Sequence, residues 1–275
     1  MICFPNAKIN IGLNILEKRD DGFHNIETVF YPIGLCDILE FIPIDKKSKH
    51  KYYFENTGIY ANIIPENDLV IKTYNLLVKE KYHLPAIKIH LHKVIPLGAG
   101  LGGGSSNASF MLKYLNEYFR LNISEQKLKS YASKLGSDCS FFIDNIPCFA
   151  SGRGDILKQI ELNLSGYYIV LIKPDFSIET TWAYSQVKPK VPDTSLLELI
   201  KSPVTEWSNL LINNFEKVIV NKHPEIAIIK EKLYKSGAVY ASMSGSGSAV
   251  YGIFSKKPDL KKLFNEHYFY WESKL

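Results

Sequence analysis

The segment that most restricts this chain is Pro96-Leu97-Gly98-Ala99-Gly100-Leu101-Gly102-Gly103-Gly104-Ser105-Ser106. Five of its eleven residues are glycine, although the 275-residue chain contains only 17. Glycine admits positive φ and lets backbone N–H groups approach a ligand with no Cβ in the way. The run also opens a helix expected over residues 106–119, with Ala108, Met111, Leu112, Leu115 and Phe119 on one stripe. Free N–H groups and the positive end of the helix dipole at such a start attract phosphate. Ser105 and Ser106 are placed to cap the helix or to touch phosphate oxygens or a metal ion.

Several familiar phosphate loops do not fit. Gly98, Gly100 and Gly103 satisfy G-x-G-x-x-G, but a dinucleotide site needs a further strand and an acidic residue after the helix. Here a second helix is expected instead: Ser124 caps it, Leu128, Tyr131, Ala132 and Leu135 form its stripe, and Gly136 ends it. A Walker A loop needs lysine after its last glycine, where this chain has Ser105. His-Arg-Asp and Asp-Phe-Gly are both missing, which removes the protein kinases.

Ahead of the glycines, residues 7–16 alternate with period two. Ala7, Ile9, Ile11, Leu13 and Ile15 form one face, and Lys8, Asn10 and Asn14 share the other, as in a strand with one polar side. Asp20-Asp21-Gly22 signals a turn. Strands are expected at 26–35, 38–44 and 87–91, and a helix at 69–81 after Glu66-Asn67-Asp68. His90 and His92 share a strand face, but no third ligand stands at a useful spacing, so a plain polar face is favoured over a metal site.

Beyond Cys139 and the apolar run 141–143, composition shifts near Ser151-Gly152-Arg153-Gly154, a plausible domain boundary. A strand is expected at 167–172, helices at 195–201, 209–220 and 225–235, and strands at 239–243 and 249–254. A last helix is expected from Pro258. Segregated helices and strands of this kind read as α+β.

Composition narrows the setting. Hydrophobic residues are 46% of the chain and charged residues 22%, enough for a real core and too balanced for disorder. The longest apolar runs, such as 169–172, are far too short to cross a bilayer, and residues 1–6 lack the marks of a signal peptide, so a cytoplasmic protein is expected. Cys3, Cys36, Cys139 and Cys148 contain no C-x-x-C pair and read as reduced thiols. The net charge of +5 suits anionic substrates and would equally suit weak nucleic-acid binding. The basic cluster 46–51 lacks interleaved aromatics and reads as a solvated loop rather than an RNA-binding surface.

The run from Pro96 to Ala108 resembles the ATP-binding motif of the GHMP small-molecule kinases. Pro5-Asn6-Ala7-Lys8-Ile9-Asn10 resembles their first motif and Ser242-Met243-Ser244-Gly245-Ser246-Gly247-Ser248 their third. Asp21-Gly22-Phe23-His24 and Leu135-Gly136-Ser137-Asp138-Cys139 resemble the branch whose acceptor is a cytidyl alcohol; mevalonate and homoserine kinases share the loop but not the Asp-Gly-Phe-His segment. The resemblance implies a two-domain α+β fold: an N-terminal domain over 1–153 similar to ribosomal protein S5 domain 2, and a ferredoxin-like domain over 154–275. It implies ATP as donor to the 2-hydroxyl of that alcohol in the non-mevalonate route, with Mg²⁺. It also implies no nucleic-acid or membrane partner, and a monomer or weak homodimer.

Residue by residue, the resemblance makes Lys8 and Asp138 catalytic and gives 96–106 to ATP. It sets Asn10 at the substrate hydroxyl, and Phe23, His24 and, more loosely, Tyr184 at the cytosine. Ser140 stands where the family often has proline, and Phe23 where many relatives have tyrosine. Another GHMP kinase with a different alcohol substrate, and a non-catalytic nucleotide- or RNA-binding module, remain as alternatives.

Overall fold

The alternation at residues 7–16 becomes a long strand, but both of its faces are closed to solvent: every residue from 7 to 15 is buried. In the computed structural model, which describes residues 1–44, 50–59 and 64–275, the chain opens with β1 (Ile2–Cys3), β2 (Asn6–Lys18), β3 (His24–Cys36), β4 (Ile38–Pro43) and β5 (Tyr52–Gly58). Then come α1 (Leu69–Lys79), β6 (Ile87–Lys93), α2 (Gly103–Tyr118), α3 (Glu125–Leu135) and α4 (Phe141–Asp144). The strands β7 (Cys148–Ser151), β8 (Ile156–Gln159) and β9 (Tyr168–Lys173) follow, then α5 (Thr180–Gln186), α6 (Leu196–Leu199), α7 (Trp207–Leu210), α8 (Asn214–Ile219) and α9 (Glu225–Lys235). β10 (Tyr240–Met243), β11 (Val250–Phe254) and β12 (Phe269–Lys274) complete the chain. Of the basic cluster, residues 46–49 lie outside the described residues.

The chain forms two compact units, each assembled from separated stretches. The first comprises Met1–Ala7, Leu35–Leu97 and Gly102–Asn145; the second comprises Lys8–Gly34, Gly98–Leu101 and Ile146–Leu275.

In the first unit the sheet order is β1-β4-β6-β5, with β5 and β6 parallel and the other pairs antiparallel. Its inward positions, Leu39 and Phe41 from β4 and Ile87, Ile89 and Leu91 from β6, pack with the apolar stripes of α1, α2 and α3 in one core. Asp68 caps α1 by accepting from the Val70 N–H at 2.8 Å, and Ser124 caps α3. Gly136 ends α3 as expected, with an extended φ of 176°.

The second unit holds two sheets, β2-β3-β7-β8 and β10-β11-β9-β12. Residues 152–155 are the turn of the β7–β8 hairpin, in which Ser151 pairs with Ile156. Two sequence expectations fail here. The single helix expected at 209–220 is two helices, because residues 211–213 extend to meet β2: the Leu13 N–H donates to the Ile212 carbonyl at 2.8 Å, and Asn213 caps α8 through the Phe215 N–H. The helix expected from Pro258 is only a turn at Lys261–Leu263, and the aromatic segment 269–274 pairs as β12 along the whole of β9, from Phe269 opposite Lys173 to Lys274 opposite Tyr168. Pairing with a buried strand outweighs a local helix-start signal. Among the described residues no helix is long and apolar enough to cross a membrane, and none of the four cysteines is in a disulfide.

Candidate active site

The glycine run divides between the units. In the first unit Gly102, at φ 70°, begins α2 with no side-chain cap. Its carbonyl accepts the Ser106 N–H at 2.8 Å. The N–H groups of Gly103, Gly104 and Ser105 then have no acceptor within the helix, the arrangement that receives an anion. Gly103 permits the close seat of this turn: a Cβ there would stand 2.9 Å from Ile95.

Beneath the turn lies a buried ionic cluster. Lys93, Asp37 and Asn107 are each no more than 2% exposed. The Asp37 Oδ2 atom pairs with the Lys93 ammonium and accepts the Asn107 amide at 2.9 Å; its Oδ1 atom accepts the Val94 and Ile95 N–H groups at 2.7 and 2.8 Å. Lys93 also donates to Asn107 Oδ1 at 2.9 Å. The carboxylate thus fixes the end of β6, just before Pro96, to the second turn of α2.

Asp138 stands in the same unit, half-buried, in the turn between α3 and α4. The following residue anchors that turn: the Cys139 carbonyl accepts the Ser109 hydroxyl of α2 at 2.7 Å. Burial pushes the Cys139 thiol up to about 11, while hydrogen bonding from Ser105 works the other way. Ser105 of the glycine run and the Asp138 turn are therefore brought together around Cys139.

In the second unit, Gly98 and Gly100 adopt φ of 60° and 75°. The Gly100 carbonyl accepts both the Lys8 ammonium, at 3.1 Å, and the Ser244 hydroxyl, at 2.8 Å. The Lys8 N–H donates to the Leu101 carbonyl at 3.0 Å. Lys8 also donates to Asn10 Oδ1 at 2.5 Å and lies 4.8 Å over the Phe30 ring. Asn10 is held on every side: its amide donates to Thr28 Oγ1 at 2.9 Å, its N–H to Ser244 Oγ at 3.2 Å, and its carbonyl accepts Tyr251 OH at 2.7 Å. The third glycine motif therefore supports both the loop and the Lys8 strand.

His24 and Tyr184 stack, with ring centroids 4.8 Å apart and an interplanar angle of 20°. Tyr184 is held edge-on by Phe215 at 4.9 Å. Burial, aided by Lys18, lowers the His24 pKa below its ordinary 6.5, which favours the neutral ring. Phe23 has a different neighbour: it is 51% exposed and the Arg153 guanidinium lies 4.9 Å from its ring centre. His90 and His92 are spanned by Thr57 Oγ1, 2.9 Å from each, and no group of three metal-binding side chains occurs among the described residues.

Sequence reasoning missed Asp37, Lys93, Asn107, Thr28, Tyr251 and Arg153. One signal was available: Lys93 continues the inward parity of Ile87, Ile89 and Leu91, so a charge was due on the core side. Nothing local marks Asp37 as its partner, 56 residues away.

The chain matches the family described as GHMP kinases N terminal domain over residues 68–153, and that described as GHMP kinases C terminal over 196–272. A Bacteroides fragilis protein is 52% identical over 275 residues, all of both chains. One from Bacteroides thetaiotaomicron is 55% identical over 260 residues, 94% of each. Both are named 4-diphosphocytidyl-2-C-methyl-D-erythritol kinase. The crystal structure of a 4-(cytidine 5'-diphospho)-2C-methyl-D-erythritol kinase superposes with a TM-score of 0.79 at 28% identity, covering 92% of this chain and 90% of that one. The mevalonate kinase of Methanococcus jannaschii shares the fold, at a TM-score of 0.72 and 13% identity over 100% and 98% of the two chains. Full-length identity of this order, over a chain that carries both GHMP domains, makes it a GHMP small-molecule kinase belonging to the 4-diphosphocytidyl-2-C-methyl-D-erythritol kinase family.

Proposed function

We propose that this chain transfers the γ-phosphate of ATP to the 2-hydroxyl of 4-diphosphocytidyl-2-C-methyl-D-erythritol, in the non-mevalonate (MEP) route to isoprenoid precursors. The observation that carries the acceptor is the His24–Tyr184 stack, a ring pair suited to a nucleobase and built on the same unit as the Lys8–Asn10 strand. Base stacking is worth on the order of 1–3 kcal/mol, and the neutral His24 ring offers one directed hydrogen bond. Phe23, beside Arg153, would cover the base from the hairpin turn.

Phosphoryl transfer asks for positioning and charge neutralisation rather than covalent chemistry. The α2 amides and the loop 96–106 would hold the β- and γ-phosphates. Asp138 would accept the proton of the substrate hydroxyl, and Lys8, fixed by the Gly100 carbonyl and Asn10, would stabilise charge on the reacting oxygens. Asn10 would hold the hydroxyl. Mg²⁺ fits as a cation brought in on the phosphates: the Ser106 hydroxyl is buried without a hydrogen-bond partner among the described residues, so its oxygen lone pairs would be available to the ion, and Ser105 stands beside it. When bound, the ion would neutralise polyphosphate charge.

The division into domains at 153/154 is part of this reading and draws support from the N-terminal family match ending at residue 153. Cytoplasmic residence is part of it too, in keeping with four cysteines outside any disulfide. Every residue the reaction uses lies in one chain, so a monomer or weak homodimer serves, with neither nucleic acid nor membrane as partner.

The test is a coupled ADP-release assay with the cytidyl alcohol, mevalonate or homoserine as acceptor. Turnover with the cytidyl alcohol alone is expected. Preference for either other alcohol would overturn the acceptor, and no turnover with any would overturn the kinase reading.

A further inference from the structure

The second unit contains a cavity of about 980 Å³ between β2, the segment 186–193 and the stretch 212–220. That is the upper end of the range for small-molecule sites. Its polar groups are not used alike. Asn213 is spent within the fold: its amide donates to the Met243 and Gly245 carbonyls, each at 2.8 Å, and its Oδ1 atom caps α8. Asn214 accepts the Ile15 N–H at 2.8 Å. Glu216 is neutralised by Lys230 at 2.6 Å and accepts the Met243 N–H at 2.7 Å.

Asn14 is the exception. It is only 6% exposed and lines the cavity, yet its side-chain amide has no hydrogen bond among the described residues. The Asn14 side chain is enclosed, yet its polar atoms are not sealed from solvent, so within the cavity they are open to a ligand's hydrogen bond.

The rim supplies a second, independent observation. Lys188, Lys190 and Lys217 all line the cavity, all are exposed, and none is ion-paired among the described residues. With Glu216 neutralised, only Asp193 opposes them. Between the rim and Asn14 the wall is apolar, formed by Val187, Pro192, Ile212 and Val218; Ile212 is 57% exposed. An ammonium rim, an apolar wall and an unsatisfied amide describe three parts of one ligand.

We propose that this cavity binds a small organic phosphate with an apolar body: the lysines take the phosphate, the wall takes the carbon chain, and the Asn14 amide pairs with a hydroxyl or carbonyl group. None of the residues lining the cavity is one assigned to ATP or the cytidyl alcohol, and the proposal stands whether or not that acceptor is correct. It adjoins the residues that hold the third glycine motif, since Asn213 and Glu216 line it and grip Met243 and Gly245.

The experiment is calorimetric titration of the full chain at low salt, with ADP and CDP both saturating so that the reaction's own phosphate sites are filled. The probes are n-butyl phosphate, inorganic phosphate and n-butanol. Butyl phosphate is expected to bind about tenfold more tightly than either of the others. Replacing Lys188, Lys190 and Lys217 together with alanine should weaken it about tenfold, and added salt should do the same. Asn14→Ala should weaken it severalfold without lowering the thermal unfolding midpoint, since no internal hydrogen bond is lost. Three results would each overturn the proposal: no binding once the nucleotides are present, equal affinity for butyl and inorganic phosphate, or full affinity in the folded triple-lysine variant.

Discussion

Asp37→Ala is the substitution for which the structure gives the clearest magnitude. The carboxylate is fully buried and holds four donors: the Lys93 ammonium, the Asn107 amide and the Val94 and Ile95 N–H groups. Without it, Lys93 is a charge at 1% exposure with the Asn107 oxygen as its remaining side-chain acceptor among the described residues, and two backbone donors lose theirs. Removing one member of a buried ion pair costs about 3–5 kcal/mol, a large part of the roughly 5–15 kcal/mol that keeps a domain folded. Asp37→Asn retains an oxygen for the backbone donors and should cost less than the alanine variant. Urea unfolding followed by far-UV circular dichroism is the assay, because all three tryptophans (Trp182, Trp207 and Trp271) lie in the other unit. A loss of less than about 1 kcal/mol for Asp37→Ala would refute the argument that this cluster clamps β6 to α2. The same variant, where folded, should raise KM for ATP more than it lowers kcat, because the clamp sits at the entrance to the phosphate loop.

Gly100→Ala should destabilise the protein by about 2–4 kcal/mol, since its Cβ would stand 1.9 Å from the Ser244 carbonyl oxygen at φ +75°. Gly237→Ala has the same backbone strain at φ +94° with nothing within 4 Å; it should cost only about 1 kcal/mol, and equal thermal shifts in the two variants would show that the contact is unimportant. His24 has its folded pKa lowered, so the unfolded state binds more protons in the window between that value and 6.5. Stability therefore rises with pH through that window, and the cost of charging the half-buried ring is fully present below it. In a kcat/KM profile for the cytidyl alcohol, the acid limb should fall below pH 6.5 and disappear in His24→Asn; a limb centred above 6.5 would remove His24 from the base site. Asp138→Asn should lower kcat by at least about 10²-fold with KM for ATP little changed, and near-normal turnover would exclude it as the base.

The helices were legible where a capping residue and an apolar stripe agreed. Asp68 and Ser124 begin α1 and α3 as their chemistry requires, and α9 spans Glu225–Lys235 as its periodicity predicts. Legibility failed where a distant strand competes with a local signal. Asn213 looks like a residue inside one helix, and only the meeting with Leu13, two hundred positions earlier, turns it into a break and a cap. Pro258 looks like a helix start, but β9 offers six residues of pairing to the segment that follows. The glycine loop was legible as a phosphate site because its composition is almost unaffordable elsewhere. The Asp37–Lys93–Asn107 cluster beneath it was only half legible: the parity of β6 puts Lys93 on the core side, but nothing in the neighbourhood of Asp37 marks it as the partner.

The strand carrying Lys8 shows why a period can be read correctly and its meaning still missed. Alternation says which side chains share a face; it does not say what covers that face. Lys8, Asn10 and Asn14 share one, as expected, but at 3%, 3% and 6% exposure it is an interior and not a surface. Burying polar groups is costly unless each finds a partner. Lys8 and Asn10 find theirs in Gly100, Thr28 and Ser244, all brought in from elsewhere in the chain. Their satisfaction holds them rigid, which suits groups that must meet a reacting oxygen in one geometry. Asn14 is on the same face, but its amide has no hydrogen bond among the described residues and opens on the cavity instead. If solvation alone governed the face, its two asparagines would have been treated alike. The difference between them separates a residue ordered for chemistry in advance from one that a ligand has still to complete.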